Sequence, residues 1–216
     1  MPTTRPEWLE PLEDPRNEQI LTAAFDVFCE KGFHAATMLD VAREARVSKE
    51  TLYARFDSKE GLFYAILVWG GRKCTADLDV VHNYDDPIEM LRAYACTILT
   101  AMLRPESLAV YRIAVSESAR TPDIGHAFNE LGAIIQDDAR AHLAQALVSH
   151  GHAEIADMAE FYDCFFGIVR GNFHHNVLMG DEPIPTEAEI AARADMVVKR
   201  TLKAFAPTQA QSKRAA

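Results

Sequence analysis

Between Val47 and Glu60 the chain reads VSKETLYARFDSKE, and the residue types there are those that meet a phosphate-rich surface. Taken as a helix over 49–55, the stretch turns Lys49, Glu50, Thr51, Tyr53 and Arg55 outward, while Val47, Leu52 and Phe56 hold it in place. Lys49, Tyr53 and Arg55 are donors suited to phosphate oxygens. Thr51 and Glu50 can reach base edges, Glu50 by accepting from a cytosine amine. Ser48 is placed to cap the helix, leaving its first N–H groups and positive dipole end able to face a phosphate. Thr37 and Lys59 stand on either side, where they would grip the nucleic-acid backbone. Ordinary solvent-facing helices also show Lys, Arg and Tyr, so the side chains alone leave both readings open.

Other chemistry finds little support. There is no GxSxG elbow, no P-loop, no GxGxxG and no HExxH, so no enzyme and no cofactor are expected. Among the eight histidines, His174 and His175 are adjacent and would point about 100° apart on a helix, a poor chelate. His150 and His152 straddle a helix end, where a cation favours the dipole. No metal is expected. Cys29, Cys74, Cys96 and Cys164 are far apart, which suggests buried free thiols in a reducing cytoplasm and not a disulfide framework.

The elements that would position these groups are helices. Asp14-Pro15, Asp86-Pro87 and Thr121-Pro122 each put a capping side chain before a proline at a first helical position. Thr37–Asp40, Asp57–Glu60 and Thr186–Glu189 have capping-box spacing. Gly32, Gly70-Gly71, Gly151 and Gly180 mark helix ends. Apolar residues recur at helical spacing between these marks, and no segment alternates as a strand. The chain reads as all-α with about nine helices: 15–31, 38–45, 49–55, 58–75, 87–103, 105–118, 122–149, 154–178 and 186–205. Helices 38–45 and 49–55 with their short turn form a helix-turn-helix. The expected domains are a flexible arm (1–14), a DNA-binding domain (15–58), a larger helical bundle (59–206) and a flexible tail (207–216).

Composition fits this division. The net charge is −10, yet residues 16–59 hold seven Lys/Arg against seven Asp/Glu, so that segment escapes the acidity that would repel a polyanion. MPTTRPEWLEPLEDP is acidic and Pro-rich without an apolar core, and no apolar run approaches the roughly 20 residues a membrane span needs. A cytoplasmic protein without a membrane role is expected.

The segment ILTAAFDVFCEKGFHAATMLDVAREARVSKETLYARFDSKEGLFYAIL resembles the N-terminal domain of TetR/AcrR-type bacterial transcriptional regulators over about residues 20–67. The features that carry the resemblance are AAxxxFxxxG, Thr37, xVAxxAxVS, TLYxxF and SKExL, in order and correctly spaced. Two positions depart from the family pattern. Arg46 replaces the usual Gly after the first helix of the motif; a left-handed residue there costs about 1–2 kcal/mol, so either the turn is re-shaped or Arg46 adds a phosphate contact. Glu50 stands where a small residue is common.

The resemblance implies a homodimer whose last two helices form a four-helix interface, a double-stranded operator as partner, and an effector pocket among the central helices. The C-terminal part looks like AefR-type or AcrR-type effector domains. Two features of the residues agree with a dimer. Phe161, Phe165, Phe166, Ile168, Val169, Phe173 and Val177 are too many for one inward stripe, and Ile190, Ala191, Ala194, Val197 and Val198 form a second apolar face. A two-fold dimer would set its recognition helices about 34–36 Å apart. The pocket residues expected are Trp69, Tyr94, Ile98, Tyr111, Val115, Phe128, Leu131, Phe165 and Val169, each of which would serve equally as plain core. Such a lining suits an apolar or aromatic effector, with Arg112, Glu117 and Arg170 as polar anchors or as partners of one another. Ligand-driven release from the operator, hence repression, is the mode the family implies.

Overall fold

The computed structural model describes residues 15–75, 78–134 and 137–207. Ten α-helices and no strand occur among them: α1 (Pro15–Lys31), α2 (Met38–Glu44), α3 (Lys49–Arg55), α4 (Lys59–Thr75), α5 (Pro87–Leu103), α6 (Pro105–Ser118), α7 (Pro122–Ile134), α8 (Asp137–Ser149), α9 (Met158–Met179) and α10 (Glu187–Ala204). The helix expected over 122–149 is described as α7 and α8, and residues 135–136 between them lie outside the described residues. A 3-10 segment, Leu78–Asn83, precedes α5 and was not legible in the sequence. The expected arm (1–14) and all of the expected tail but Pro207 also lie outside the description.

The caps explain most boundaries. Thr37 and Thr186 each accept from the backbone N–H three residues on, while Asp40 and Glu189 reach back to the cap N–H; both capping boxes are complete. At α4 the cap is Ser58, whose hydroxyl accepts from Gly61 N–H at 3.0 Å, in place of the expected Asp57. Gly70 and Gly71 do not end that helix, which runs on through them. α9 starts at Met158, not 154, because Asp157 accepts from Ala159 N–H at 2.8 Å.

The chain falls into two compact units, Met1–Lys73 with Ala109–Ile135, and Cys74–Leu108 with Gln136–Ala216. In the first, α1 to α4 share a core with Ala114 and Ile124. Phe28 and Phe63 each meet Phe33 edge-on, with centroids 5.1 and 5.4 Å away, and are tilted to one another at 6.3 Å. Each such ring is worth about 1.5–3 kcal/mol of burial, enough to hold helices too short to persist alone.

In the second unit α5 lies against α8, α9 and α10. Arg92 of α5 pairs with Asp195 of α10 at 2.6 Å. Phe161, Phe165, Val169 and Val177 give α9 its buried stripe, and Phe166, Ile168 and Phe173 are left half-buried beside it. α9 is broken at Gly171 (φ 41°, ψ −155°), a backbone that side-chain-bearing residues rarely adopt. Arg193 of α10 fills the space beside it: its Nη2 would stand 2.7 Å from a Cβ at 171. The same Nη2 donates to the carbonyls of Ile168 and Val169 at 2.6 and 3.3 Å.

The three cysteines whose side chains are described are free thiols but not buried: Cys29 is exposed, and Cys96 and Cys164 are half-buried.

Candidate nucleic-acid interface

The turn between α2 and α3 sets the interface. Arg46 N–H donates to Arg43 O at 3.2 Å and Val47 N–H to Ala42 O at 3.0 Å, the paired bonds of a Schellman motif. That motif needs a left-handed residue, and Arg46 supplies it with φ 53°, the sole positive φ outside glycine among the described residues. The turn therefore keeps the geometry glycine would give, at a cost of about 1–2 kcal/mol. Gln19 of α1 steadies it by donating to Ala45 O at 3.0 Å.

α3 then begins at Ser48, whose Oγ accepts from Thr51 N–H at 3.1 Å and lies 3.0 Å from the Thr51 hydroxyl. Val41, Ala42, Leu52 and Phe56 are buried and Val47 packs on the same core, so the helix has one seating. Ser48, Lys49, Glu50, Thr51 and Tyr53 remain exposed. Lys49 Nζ lies 5.6 Å from the Tyr53 ring centroid, and Tyr53 is 42% exposed, large for an aromatic with nothing to cover it. Glu50 folds back: hydrogen bonds from its own backbone N–H and from Ser48 hold its carboxyl below the ordinary range.

Two expected phosphate donors are occupied inside the fold. Arg55 Nη1 donates to Asn17 Oδ1 at 2.6 Å, tying the end of α3 to the first turn of α1. Lys59 spreads its ammonium over the carbonyls of Phe33, His34 and Ala36 at 2.7, 3.2 and 3.1 Å, over the Phe33 ring. Both long side chains lie outward on a helical wheel and bend to partners supplied by α1 and the loop after it. Asn17 was missed in the sequence, although a polar residue on the stripe shared with Ile20, Leu21 and Ala24 was the available signal; it is 3% exposed.

Thr37 heads α2 in its capping box, and Asp40 is shared with Lys31 Nζ at 2.7 Å. The Lys31 bond is the largest of several that hold the Asp40 carboxyl far below the ordinary range.

The expected pocket residues fall into both units. In the first unit Tyr111 meets Phe128 edge-on at 5.3 Å and Trp69 packs against the core. Val115 is 59% exposed and joins neither contact; the Leu131 side chain lies outside the description. In the second, Tyr94, Ile98, Phe165 and Val169 are all buried, with Tyr94 stacked on Phe165 at 5.6 Å. Burial pushes the Tyr94 phenol well above its ordinary value, as expected of a core tyrosine. Of the expected anchors, Glu117 is buried, while Arg112 and Arg170 are exposed.

Comparison with known proteins places this geometry. The model for bacterial regulatory proteins of the tetR family matches residues 20–66, and that for the C-terminal domain of AefR-like transcriptional repressors matches residues 89–207. The HTH-type regulator YvkB of Bacillus subtilis strain 168, itself uncharacterised, is 26% identical over 175 residues, 81% of this chain and 90% of its own. Among solved structures, the Flavonoid-responsive Regulator FrrA is 30% identical with a TM-score of 0.71, the match covering 89% of this chain and 97% of that one. A TetR transcriptional regulator from Agrobacterium tumefaciens is 25% identical with a TM-score of 0.68, covering 92% and 98%. The relatives carry the names of regulators, not of enzymes.

Proposed function

This chain belongs to the TetR family of bacterial regulatory proteins and is a DNA-binding transcriptional regulator; we propose that it is a repressor, bound to a palindromic operator as a homodimer and released by a small, largely aromatic effector. The observation that carries the DNA-reading part is α3 itself, seated by Leu52 and Phe56 with Lys49, Glu50, Thr51 and Tyr53 left on its open face.

Within that face Lys49 and Tyr53 take phosphate, Ser48 and Thr37 flank them, and Thr51 meets base edges. Glu50 must unfold from Ser48 before it can read a cytosine, so it acts as a selectivity filter. Arg46 adds a guanidinium beside the groove. Arg55 and Lys59 serve by holding α3 and α4 in place. The division of labour follows: residues 15–58 read DNA, and 59–206 bind effector and pair the subunits in the cytoplasm. No helix among the described residues is long and apolar enough to cross a membrane.

An aromatic effector is supported by the half-buried Tyr111–Phe128 ring pair and by the flavonoid response in the name of the 30% identical relative. Repression is supported by the AefR-like repressor match over 89–207. A dimer through the last two helices is supported by Phe166, Ile168 and Phe173, which α9 leaves half-buried. Binding that favours a subunit geometry unable to span both half-sites would release DNA.

The test is selection of bound sequences from random DNA by the full chain, followed by titration of the enriched site with a panel of flavonoid-like and other aromatic compounds. An enriched inverted repeat, released by at least one compound, is expected. No enrichment over input DNA contradicts the proposal.

A further inference from the structure

Two histidines far apart in sequence meet on the surface of the second unit. His82 stands near the end of the 3-10 segment Leu78–Asn83, and His142 lies midway along α8. Leu78 and Val81 are buried and seat the segment, while Ala139, Leu143, Ala144 and Leu147 form the buried stripe of α8. The two elements pack together, and each histidine is exposed beside these anchors. The imidazole centroids are 4.6 Å apart with their planes inclined by 50°. Among the described residues neither ring has a further hydrogen-bond, ionic or ring partner.

That separation is one a shared metal ion sets. A first-row metal holds an imidazole nitrogen at about 2.1 Å, and the ring centre lies about 1.1 Å behind that nitrogen. Two imidazoles on one ion therefore have centres roughly 4.5 Å apart at a right angle and roughly 5.2 Å apart at the tetrahedral angle. The observed 4.6 Å is at the right-angle end, the geometry of copper(II) and nickel(II) and not of tetrahedral zinc. Turning an exposed ring about its Cβ–Cγ bond leaves its centre nearly in place, so a nitrogen of each can face the ion without backbone movement. An inclination of 50° is neither a parallel stack nor a perpendicular edge contact, so ring attraction alone gives the pair little.

The other neighbouring histidines do not converge in this way. His150 and His152 lie parallel with centroids 6.5 Å apart, and His150 Nδ1 is 2.9 Å from Ala146 O. His174 is buried while His175 is exposed. No third His, Cys, Asp or Glu joins His82 and His142 among the described residues, so water completes the coordination.

We propose that His82 and His142 form a binding site for a divalent transition metal of the nickel(II) or copper(II) type, which ties the 3-10 segment to α8. The site departs from the absence of metal expected from the sequence, where nothing links these two positions. Nitrogen donors select against magnesium and calcium, and a net charge of −10 draws cations to the chain. The segment leads into α5, which packs on α8, α9 and α10, so the ion braces the second unit at the start of that helix. The site is complete in one chain and independent of the proposed DNA-reading and dimer surfaces.

The experiment titrates nickel chloride into the full chain by calorimetry near neutral pH. Nickel is the probe because copper(II) oxidises thiols and Cys29 is exposed. The variants are His82→Asn and His142→Asn, with His150→Asn/His152→Asn as the control. Wild type and control should each bind nickel in a one-to-one ratio, and each single variant should bind at least about ten-fold more weakly. Nickel should raise the melting temperature of wild type and control but not of the single variants. In wild type, paramagnetic nickel should also broaden the ring-proton signals of His82 and His142 together, a readout that needs no variant. Absence of binding by wild type, a single variant that binds as tightly as wild type, or broadening of only one of the two rings overturns the site.

Discussion

Arg55 Nη1 donates to Asn17 Oδ1 at 2.6 Å, joining the last residue of α3 to the first turn of α1 across 38 positions of sequence. Asn17 is almost wholly buried, so the bond is shielded from water and fixes the recognition helix at its C-terminal end. The face of α3 that remains open is presented by this tie together with the Schellman turn at Arg46.

Arg55→Ala leaves a buried amide without its donor and should cost about 1–3 kcal/mol of stability. The urea midpoint should fall with an unchanged denaturant slope. Lys49→Ala, by contrast, should leave the midpoint where it is. Equal stability of the two variants would return Arg55 to the surface.

Arg46→Gly removes the left-handed strain and should stabilise the chain by up to about 1 kcal/mol, part of the gain being offset by the greater freedom of glycine in the unfolded chain. If Arg46 also meets a phosphate, the same variant binds operator more weakly, with a salt slope shallower by about one. A loss of stability would mean that the Arg46 side chain makes native contacts that outweigh its backbone strain.

Lys59→Met keeps the stem over Phe33 and deletes the ammonium that meets three carbonyls. Charged hydrogen bonds of this kind are worth about 1.5–3 kcal/mol, so a drop of that order is expected, without change in the salt dependence of DNA binding. A changed salt slope with unaltered stability would identify Lys59 as a phosphate contact instead.

Asp40 should titrate far below ordinary aspartates in a carboxyl-carbon NMR titration, because Lys31 and Thr37 hydrogen-bond its ionised form. Its depressed folded value means that its support for the start of α2 is present above about pH 4 and is lost as pH falls through the acid range. Lys31→Met should move the value back toward normal. An Asp40 that titrates at its ordinary position excludes the shared bond in solution.

Much of the fold was legible because short-range chemistry spells it. Thr37 with Asp40, Thr186 with Glu189 and Asp86 before Pro87 are local signals, and the helices begin where they stand. The helix-turn-helix was legible for the same reason, since Val41, Ala42, Leu52 and Phe56 declare its inner face. What escaped is tertiary. Lys59 and Arg55 have outward places on a helical wheel, but their length lets them reach carbonyl and amide groups from elsewhere in the chain. Gly171 is one of two α9 glycines, and nothing nearby marks it as the break; the group that fills the space belongs to Arg193 of another helix. Of the aromatic residues expected as one pocket, Tyr94 and Phe165 are buried in the second unit and Trp69, Tyr111 and Phe128 are half-buried in the first, and residue type alone does not separate core packing from ligand contact.

The most direct test of the DNA-reading face is a salt titration of affinity for the selected operator, comparing wild type with Lys49→Ala/Tyr53→Ala. Neither residue supports the core, so the double variant should keep its melting temperature while binding at least ten-fold more weakly, with a log–log salt slope shallower by about one, since only Lys49 carries charge. Undiminished affinity with the same slope, in a correctly folded variant, would contradict the claim that this face of α3 meets DNA.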